Sequence, residues 1–268
     1  IMDRIYWSTG QFVLGAFAGT AAVAVFAVAI QLQHMYMSFS TAISGVFLPK
    51  VTAMTVQENN GTAISDLFIK TGRIQYGIMI LILTGFFLFG KQFICLWAGA
   101  GYAEAYTIAM IIFVPFTVPL IQNIGLVILQ ARNQMKFRCI LSLVVSVCSL
   151  GLQIPLSKYY GGIGCAIGIA AGLTVAQIIV MNIYYKVKQK INIVRFWFEI
   201  AKMSFIPALM TIVSYYILQN YTIDSIPELC IGILLYLFAY LPLFFALSMN
   251  AYERDLISKP IKTLLNRQ

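Results

Sequence analysis

Residues 3–49 decide the fold, and they read DRIYWSTGQFVLGAFAGTAAVAVFAVAIQLQHMYMSFSTAISGVFLP. Taken as one helix at ~100° per residue, residues 20–48 carry a single narrow polar stripe. Its members are Gln31, His34, Ser38, Thr41 and Gly45. A membrane helix turns such a stripe toward the bundle interior or a wet cavity, not toward lipid. Three interpretations stay open: hydrogen bonds to neighbouring helices, the lining of a cavity, or a cation or proton site at His34.

Asp3 and Arg4 add charge to this stretch. A short turn is predicted at residues 18–20. If residues 1–17 form a helix that ends there, Asp3 lies ~21 Å from its end at ~1.5 Å per residue, near the midplane of a ~30 Å hydrocarbon core. Charge at that depth is costly and usually functional. The alternative places both residues in a loop at the start of a shorter segment.

The composition predicts the fold class. The 268 residues are 60% hydrophobic and 10% charged, with a mean hydropathy of +0.86, whereas soluble domains carry ~25% charged residues. Long apolar runs predict an all-α polytopic transmembrane helix bundle rather than a barrel. The first residue is Ile and no signal peptide precedes the first run, so we expect the C-terminal part of something longer.

About seven complete spans follow a truncated first helix, each long enough to cross a bilayer. They lie near residues 20–48, 74–96, 105–131, 137–157, 162–185, 200–219 and 227–249. Residues 62–73 are predicted to form a separate amphipathic helix at the interface, before the second of these spans. The last two spans carry no charge at membrane depth and are expected to lie outside any transport path.

The connecting segments predict the orientation of the chain in the membrane, since segments rich in basic residues alternate with segments that have few. The basic segments carry Lys50, Lys70 and Arg73; Arg132, Lys136 and Arg138; Lys186, Lys188, Lys190, Arg195 and Lys202; and Arg254, Lys259, Lys262 and Arg267. The segments near 97–104, 158–162 and 220–228 hold at most one base each. The basic side and the C-terminus are therefore expected in the cytoplasm. The net charge of +9 follows this topology, so nucleic acid is not an expected partner.

Two successive spans carry packing signals. Ser142, Ser146, Ser149 and Gln153 share one arc, and Gly164, Gly168 and Gly172 recur every fourth residue. Both patterns are typical of helix seams in membranes. Pro115 and Pro119 interrupt the span 105–131, and they are candidate hinges, with a static kink as the alternative.

The chain lacks the signatures of an enzyme. We find no phosphate-binding glycine loop, histidine cluster, nucleophile elbow or long extramembrane segment. The five cysteines show no metal-ligand spacing and are expected to be packing residues. We expect no catalytic residue, cofactor or metal.

Three stretches resemble the bacterial polysaccharide (O-antigen type) flippases of the multidrug/oligosaccharidyl-lipid/polysaccharide exporter superfamily. The first is residues 3–54. The second is LWAGAGYAEAYTIAMII at 96–112, followed by VILQARNQMKFR at 127–138. The third is IPLSKYYGGIGCAIGIAAGLTVAQIIVMNIYY at 154–185. Together they cover most of the chain in the order of the family.

The resemblance implies a fold of fourteen helices in two six-helix lobes plus two C-terminal helices. Residues 1–185 would be the second lobe, from the end of helix seven to helix twelve. Residues 186–199 would be a cytoplasmic basic loop, 200–249 the additional pair and 250–268 a cytoplasmic tail. The partner lobe would precede this chain in the bacterial inner membrane.

The resemblance also implies a function. Such proteins move undecaprenyl-diphosphate-linked oligosaccharide units across the bilayer by alternating access. Arg4 would then face the anionic head group, with Asp3 as its ion partner or a coupling site. Gln31, His34, Ser38 and Thr41 would bind sugar hydroxyls or line the path.

Other functions stay open. A drug/cation antiporter of the same superfamily is expected to need a carboxylate at membrane depth, and here only Asp3 qualifies. A peptidoglycan-precursor flippase would differ only in cargo. A membrane-embedded glycosyltransferase or polymerase is expected to show a large outer loop or clustered acids, and a structural scaffold would leave the polar stripe unexplained.

Overall fold

A segment inside hydrocarbon must close its backbone hydrogen bonds within itself, which an α-helix does. The computed structural model is all-α, with no strand among the residues it describes, and it confirms the predicted polytopic bundle. It describes the backbone of residues 2–56, 61–221, 223 and 225–256. Side chains are described over the same ranges except residues 2–9, 47–48, 50–52, 54–56 and 61.

The described residues form long helices joined by short turns. These are α1 (Met2–Phe17), α2 (Gly19–Val56), α3 (Gly61–Trp97), α4 (Glu104–Ile121), α5 (Ile124–Ala131), α6 (Met135–Leu173), α7 (Met181–Val187), α8 (Ile193–Leu218) and α9 (Ile226–Leu243). A π-helical segment, Thr174–Val180, joins α6 to α7, and a second, Phe244–Ser248, follows α9. Residues 251–256 are helical again and are called the tail helix.

Six described stretches are long and apolar enough to cross a membrane. They are Gly19–Val46, Thr62–Trp97, Ala100–Ile121, Met135–Val187, Ile193–Leu218 and Ile226–Ser248. The sequence predicts about seven, and the difference arises at Met135–Val187, which runs through two predicted spans without a gap. The 16 residues of α1 fall short of the ~20 that a full span needs.

Gly161 folds α6 back on itself. Its φ of 55° and ψ of −132° are non-helical, in a region that glycine adopts without a Cβ clash. It separates a first arm, residues 135–160, from a second arm, residues 162–173. The arms face each other, since the Ser149 hydroxyl donates to the Gly168 carbonyl at 2.9 Å. Met135–Val187 therefore traverses the bundle twice.

The predicted glycine face makes this fold-back close. A Cβ on Gly164 would overlap the Leu156 carbonyl oxygen, and one on Gly168 would come within 2.6 Å of Gln153 Cγ. Small residues at such a seam let two helix backbones approach. Gly172 continues the face and lines a cavity.

α2 packs against several of the other described helices. It contacts α1, α3, α4 and α5, while α1 and α4 both pack on α6. Tyr36 of α2 stacks on Phe113 of α4 with ring centroids 4.7 Å apart. The C-terminal pair, α8 and α9, packs on α3 and so extends the bundle on one side.

Two boundaries differ from the sequence prediction. Residues 62–73 are not a separate interfacial helix, because α3 runs without interruption from Gly61 to Trp97. Leu67, Phe68 and Ile69 in this part are buried against protein. The predicted basic loop 186–199 is shorter in the structure, since α8 begins at Ile193, where the Asn192 side chain accepts from the Arg195 backbone N–H at 3.1 Å.

Arg73 of α3 joins three elements near one end of the bundle. Its guanidinium donates to Glu253 of the tail helix at 2.6 and 3.1 Å and to Glu199 of α8 at 2.8 Å. A further N–H donates to the Ser248 carbonyl at 3.2 Å. Arg73 and Glu253 are 5% and 4% exposed. Burial of either charge alone would be costly, and the ion pair compensates that cost because each charge neutralises the other.

Gly164→Ala is expected to destabilise the fold by about 1–3 kcal/mol, because the added methyl overlaps the Leu156 carbonyl and overpacking costs that much. Thermal unfolding of the purified protein in lipid nanodiscs measures the change. Gly151→Ala is the matched control, since nothing lies within 4 Å of its added atom. Equal shifts in the two variants would contradict the close approach of the arms.

Arg73→Met is expected to cost about 3–5 kcal/mol, because it leaves the buried carboxylate of Glu253 without its cation. Arg195→Met removes an exposed pair with Asp66 and should cost about 1 kcal/mol or less. The free energies of unfolding of both variants, measured in the same detergent, make the comparison. A loss at Arg73 no larger than that at Arg195 would show that the buried pair is not needed.

Candidate functional site

A cavity of about 510 Å³, with polar groups in a mainly apolar wall, lies between α2, the α4–α5 pair, both ends of the α6 hairpin and α7. Its polar lining is His34, Thr41, Gln122, Asn123, Arg138, Ser142, Ser146, Gln177 and Tyr185. Apolar side chains such as Phe116 and Leu126 complete the wall. This size and mixture are typical of small-molecule sites, in which a few polar groups orient a largely apolar ligand.

The cavity lies toward the end of the bundle that carries the basic segments. Arg138 is in the first turns of α6, close to Arg132 and Lys136 in the sequence. Tyr185 lies in α7, directly before Lys186. The cavity therefore approaches one membrane face and not the other.

The predicted stripe of α2 is on one face, but only part of it reaches the cavity. Gln31, His34, Ser38, Thr41 and Gly45 are all exposed. His34 and Thr41 line the cavity, whereas Gln31, Ser38 and Gly45 do not. The Ser38 hydroxyl donates to the Met35 carbonyl at 2.6 Å, within its own helix.

Asp3 and Arg4 lie outside the described side chains. Their backbone belongs to α1, which confirms a helix rather than a loop at these positions. Their role and their depth stay predictions.

α2 carries a second polar stripe that the sequence analysis did not identify. Gln33, Tyr36, Ser40 and Ser44 are all buried. The Tyr36 and Thr117 hydroxyls are hydrogen-bonded at 2.8 Å, and Ser40 donates to the Leu120 carbonyl at 2.6 Å. Their spacing of three and four residues predicts a polar stripe on a helix. It does not predict which of the two stripes faces protein.

Pro115 and Pro119 precede a break in the predicted span 105–131. α4 ends at Ile121, and Gln122, with φ of −101° and ψ of 12°, separates it from α5. Pro119, Gln122 and Asn123 line the cavity, whereas Pro115 lies outside it, in a shallow apolar groove between α4 and the segment that follows α6. The candidate hinge therefore adjoins the cavity at Pro119.

The polar residues on one arc of the first α6 arm lie in two different places, the cavity and the seam between the arms. Ser142 and Ser146 line the cavity. Ser149 and Gln153 are buried in the seam between the arms, where the Gln153 amide donates to the Ser149 hydroxyl at 2.9 Å. The opposite face of this arm is apolar and exposed, as at Val144 and Val147.

The charge of the described lining is positive. It contains the Arg138 guanidinium and the His34 imidazole but no carboxylate. Guanidinium groups bind phosphate through two parallel hydrogen bonds, and amides and hydroxyls bind sugar hydroxyls. Among the described residues no three His, Cys, Asp or Glu side chains come together as a metal site.

No protein-family model, curated protein or solved structure matches this chain.

Ser142→Cys is expected to react with a water-soluble maleimide in membrane vesicles, because its side chain faces the cavity. Val144→Cys, which is more exposed but on the apolar outer face, should react at least about tenfold more slowly, because the thiolate does not form in hydrocarbon. The native Cys139 and Cys148 of the same arm are first replaced by alanine. Faster labelling at residue 144 would mean that the cavity is dry or that the outer face is wet.

Proposed function

We propose that this chain forms one lobe of a flippase for lipid-linked oligosaccharides, and that the polar cavity receives the diphosphate and the adjoining sugars. The observation that carries the proposal is the lining itself, in which one guanidinium lies among amides and hydroxyls. The resemblance of the sequence to polysaccharide flippases supports the same substrate class. A second lobe, as the resemblance implies, would complete the path.

Charge supports an anionic head group over a cation. Three described carboxylates are paired with other cations: Glu199 and Glu253 with Arg73, and Asp66 with Arg195. A cation antiporter is expected to hold a carboxylate in its cavity, and the described lining has none. Asp3, whose side chain is not described, is the residue through which an antiporter would act.

The basic segments support a cytoplasmic position for the cavity end of the bundle. Lys186, Lys188 and Lys190 follow α7, close to the cavity, and bases of this kind are retained on the cytoplasmic side of bacterial membranes. The C-terminus then lies in the cytoplasm. The described state would be the one that loads its cargo from the inner leaflet.

The helix irregularities support alternating access. The α4–α5 break and the π-helical segment Thr174–Val180 both border the cavity. Breaks and π-helices are places where a helix bends at low cost. Rocking of this lobe against its partner could therefore open or close the cavity wall.

Arg138→Ala is expected to weaken binding of farnesyl diphosphate at least about tenfold, because charge-assisted hydrogen bonds contribute about 1.5–3 kcal/mol. Arg138→Lys should retain part of the affinity, since it keeps the charge and loses the planar fork. Binding is measured with the full-length protein in lipid nanodiscs, and farnesol serves as the uncharged comparison ligand. In cells that lack their own flippase, surface polysaccharide should fall in the same order.

Arg132→Ala is the matched control. Arg132 lies on the preceding turn and donates to Gln189 at 2.6 Å, but it does not line the cavity. The affinity of Arg132→Ala for farnesyl diphosphate should stay within about twofold of the parent, because Arg132 does not line the cavity and salt screens charges that are not in direct contact. Unchanged affinity in Arg138→Ala would remove the diphosphate from this cavity, and the same substitutions at Arg4 would then test the other predicted contact.

A further inference from the structure

Asn182 of α7 is a junction of three elements around the cavity. Its Oδ1 accepts from Gln122 Nε2 at 2.9 Å and from Trp197 Nε1 at 3.0 Å. Its Nδ2 donates to the Ile178 carbonyl at 2.7 Å. One amide thus joins the break after α4, the π-helical segment and α8.

The bond to Ile178 lies at the end of the π-helical segment Thr174–Val180. A π-helix shifts the hydrogen-bond partner of each N–H by one residue, so carbonyls at its end lose their ordinary helical donors. The Asn182 side chain supplies a donor to such a carbonyl. It therefore favours the π-helical register over a return to α-helix.

The register decides which side chains face the cavity. Ala176 and Gln177 line it, whereas Thr174 and Ile178 line the apolar groove on the other side of the same segment. Moving from π to α register removes one residue from the turn and rotates the two sides of the segment relative to each other by ~100°. Gln177 would then leave the cavity wall.

The bond from Trp197 extends this junction to the C-terminal pair. Trp197 lies in the second turn of α8, and Glu199 of the same helix binds Arg73 of α3. A displacement of α8 relative to α7 would lengthen the Trp197–Asn182 hydrogen bond. The Asn182 amide would then lose one of the bonds that fix its orientation toward Gln122 and the Ile178 carbonyl.

We propose that Asn182 is the positioning residue that sets the register of the π-helical segment, and that Trp197 makes this setting depend on the C-terminal helix pair. What the device regulates, access of the lipid-linked cargo to the cavity, rests on the proposed function. The hydrogen bonds of Asn182 with Gln122, Ile178 and Trp197 define this junction, and they do not depend on the identity of the cargo.

The test uses Trp197→Phe, which removes the indole N–H and keeps an aromatic ring against Phe196. Trp97→Phe is the matched control, since the Trp97 ring is exposed and stacks on Phe93. The probe is Ala176→Cys, a buried cavity position, in the full-length protein in nanodiscs. Its alkylation rate by a water-soluble maleimide is followed by peptide mass spectrometry, with the buried native Cys165 as an internal monitor of general unfolding.

Trp197→Phe is expected to change the alkylation rate at residue 176 by about 2- to 10-fold, the effect of one lost hydrogen bond. Trp97→Phe should leave the rate unchanged, and Cys165 should stay unreactive in both. Asn182→Ala should change the rate more, and Trp197→Phe should add nothing in that background, because both substitutions break the same junction. The proposal would be overturned if Trp197→Phe had no effect, or if its effect and that of Asn182→Ala were additive. Labelling of Cys165 in parallel with residue 176 would also overturn it.

Binding of farnesyl diphosphate to the same samples separates this device from the proposed function. If the parent does not bind the diphosphate while the rates at residue 176 respond as expected, the junction stands and the cargo assignment fails. If the diphosphate binds and the rates do not respond, the cargo assignment stands and the junction fails.

Discussion

A polar group inside a membrane bundle can bind only protein or trapped water, and several seams between the described helices follow from that constraint. Lipid tails are as apolar as leucine, so apolar contact alone does not choose between helix neighbours. The directed bonds do: Tyr36 with Thr117, Ser40 with the Leu120 carbonyl, and Ser149 with the Gly168 carbonyl. Each links α2, α4 or the α6 arms at one defined register.

The cavity occupies the level at which two of these helices lose their regular backbone pairing. The α4–α5 break at Gln122 and the π-helical segment Thr174–Val180 both supply residues to its lining, and α4 packs on that segment. Irregular backbone at membrane depth persists where it is enclosed by protein or lines water. The polar lining and the irregular backbone therefore occur together for one reason. Each has hydrogen-bonding groups that the other, or bound water, can pair with.

Helical periodicity predicted the faces of the helices but not their neighbours. It placed His34 and Thr41 on one side of α2 and Ser142 and Ser146 on one side of α6, and these side chains meet in the cavity. It could not rank the exposed stripe of α2 against the buried one that contains Tyr36, because both have the same period. Arg73 was assigned to a connecting loop because its partners, Glu199 and Glu253, lie far away in sequence, and no spacing rule links them.

The C-terminal pair shows how such distant bonds change the interpretation of an apolar segment. Without charge at membrane depth, α8 and α9 were expected to lie outside any transport path. Yet Tyr76 bonds Ser204, Tyr236 donates to Thr84 at 2.8 Å, and Arg73 binds Glu199, so polar bonds join the pair to the middle part of α3. Since Trp197 also reaches Asn182, the pair cannot shift without disturbing a residue bonded to the cavity wall. Under the proposal for Asn182, the position of the pair would be one of the variables that set the shape of the cavity.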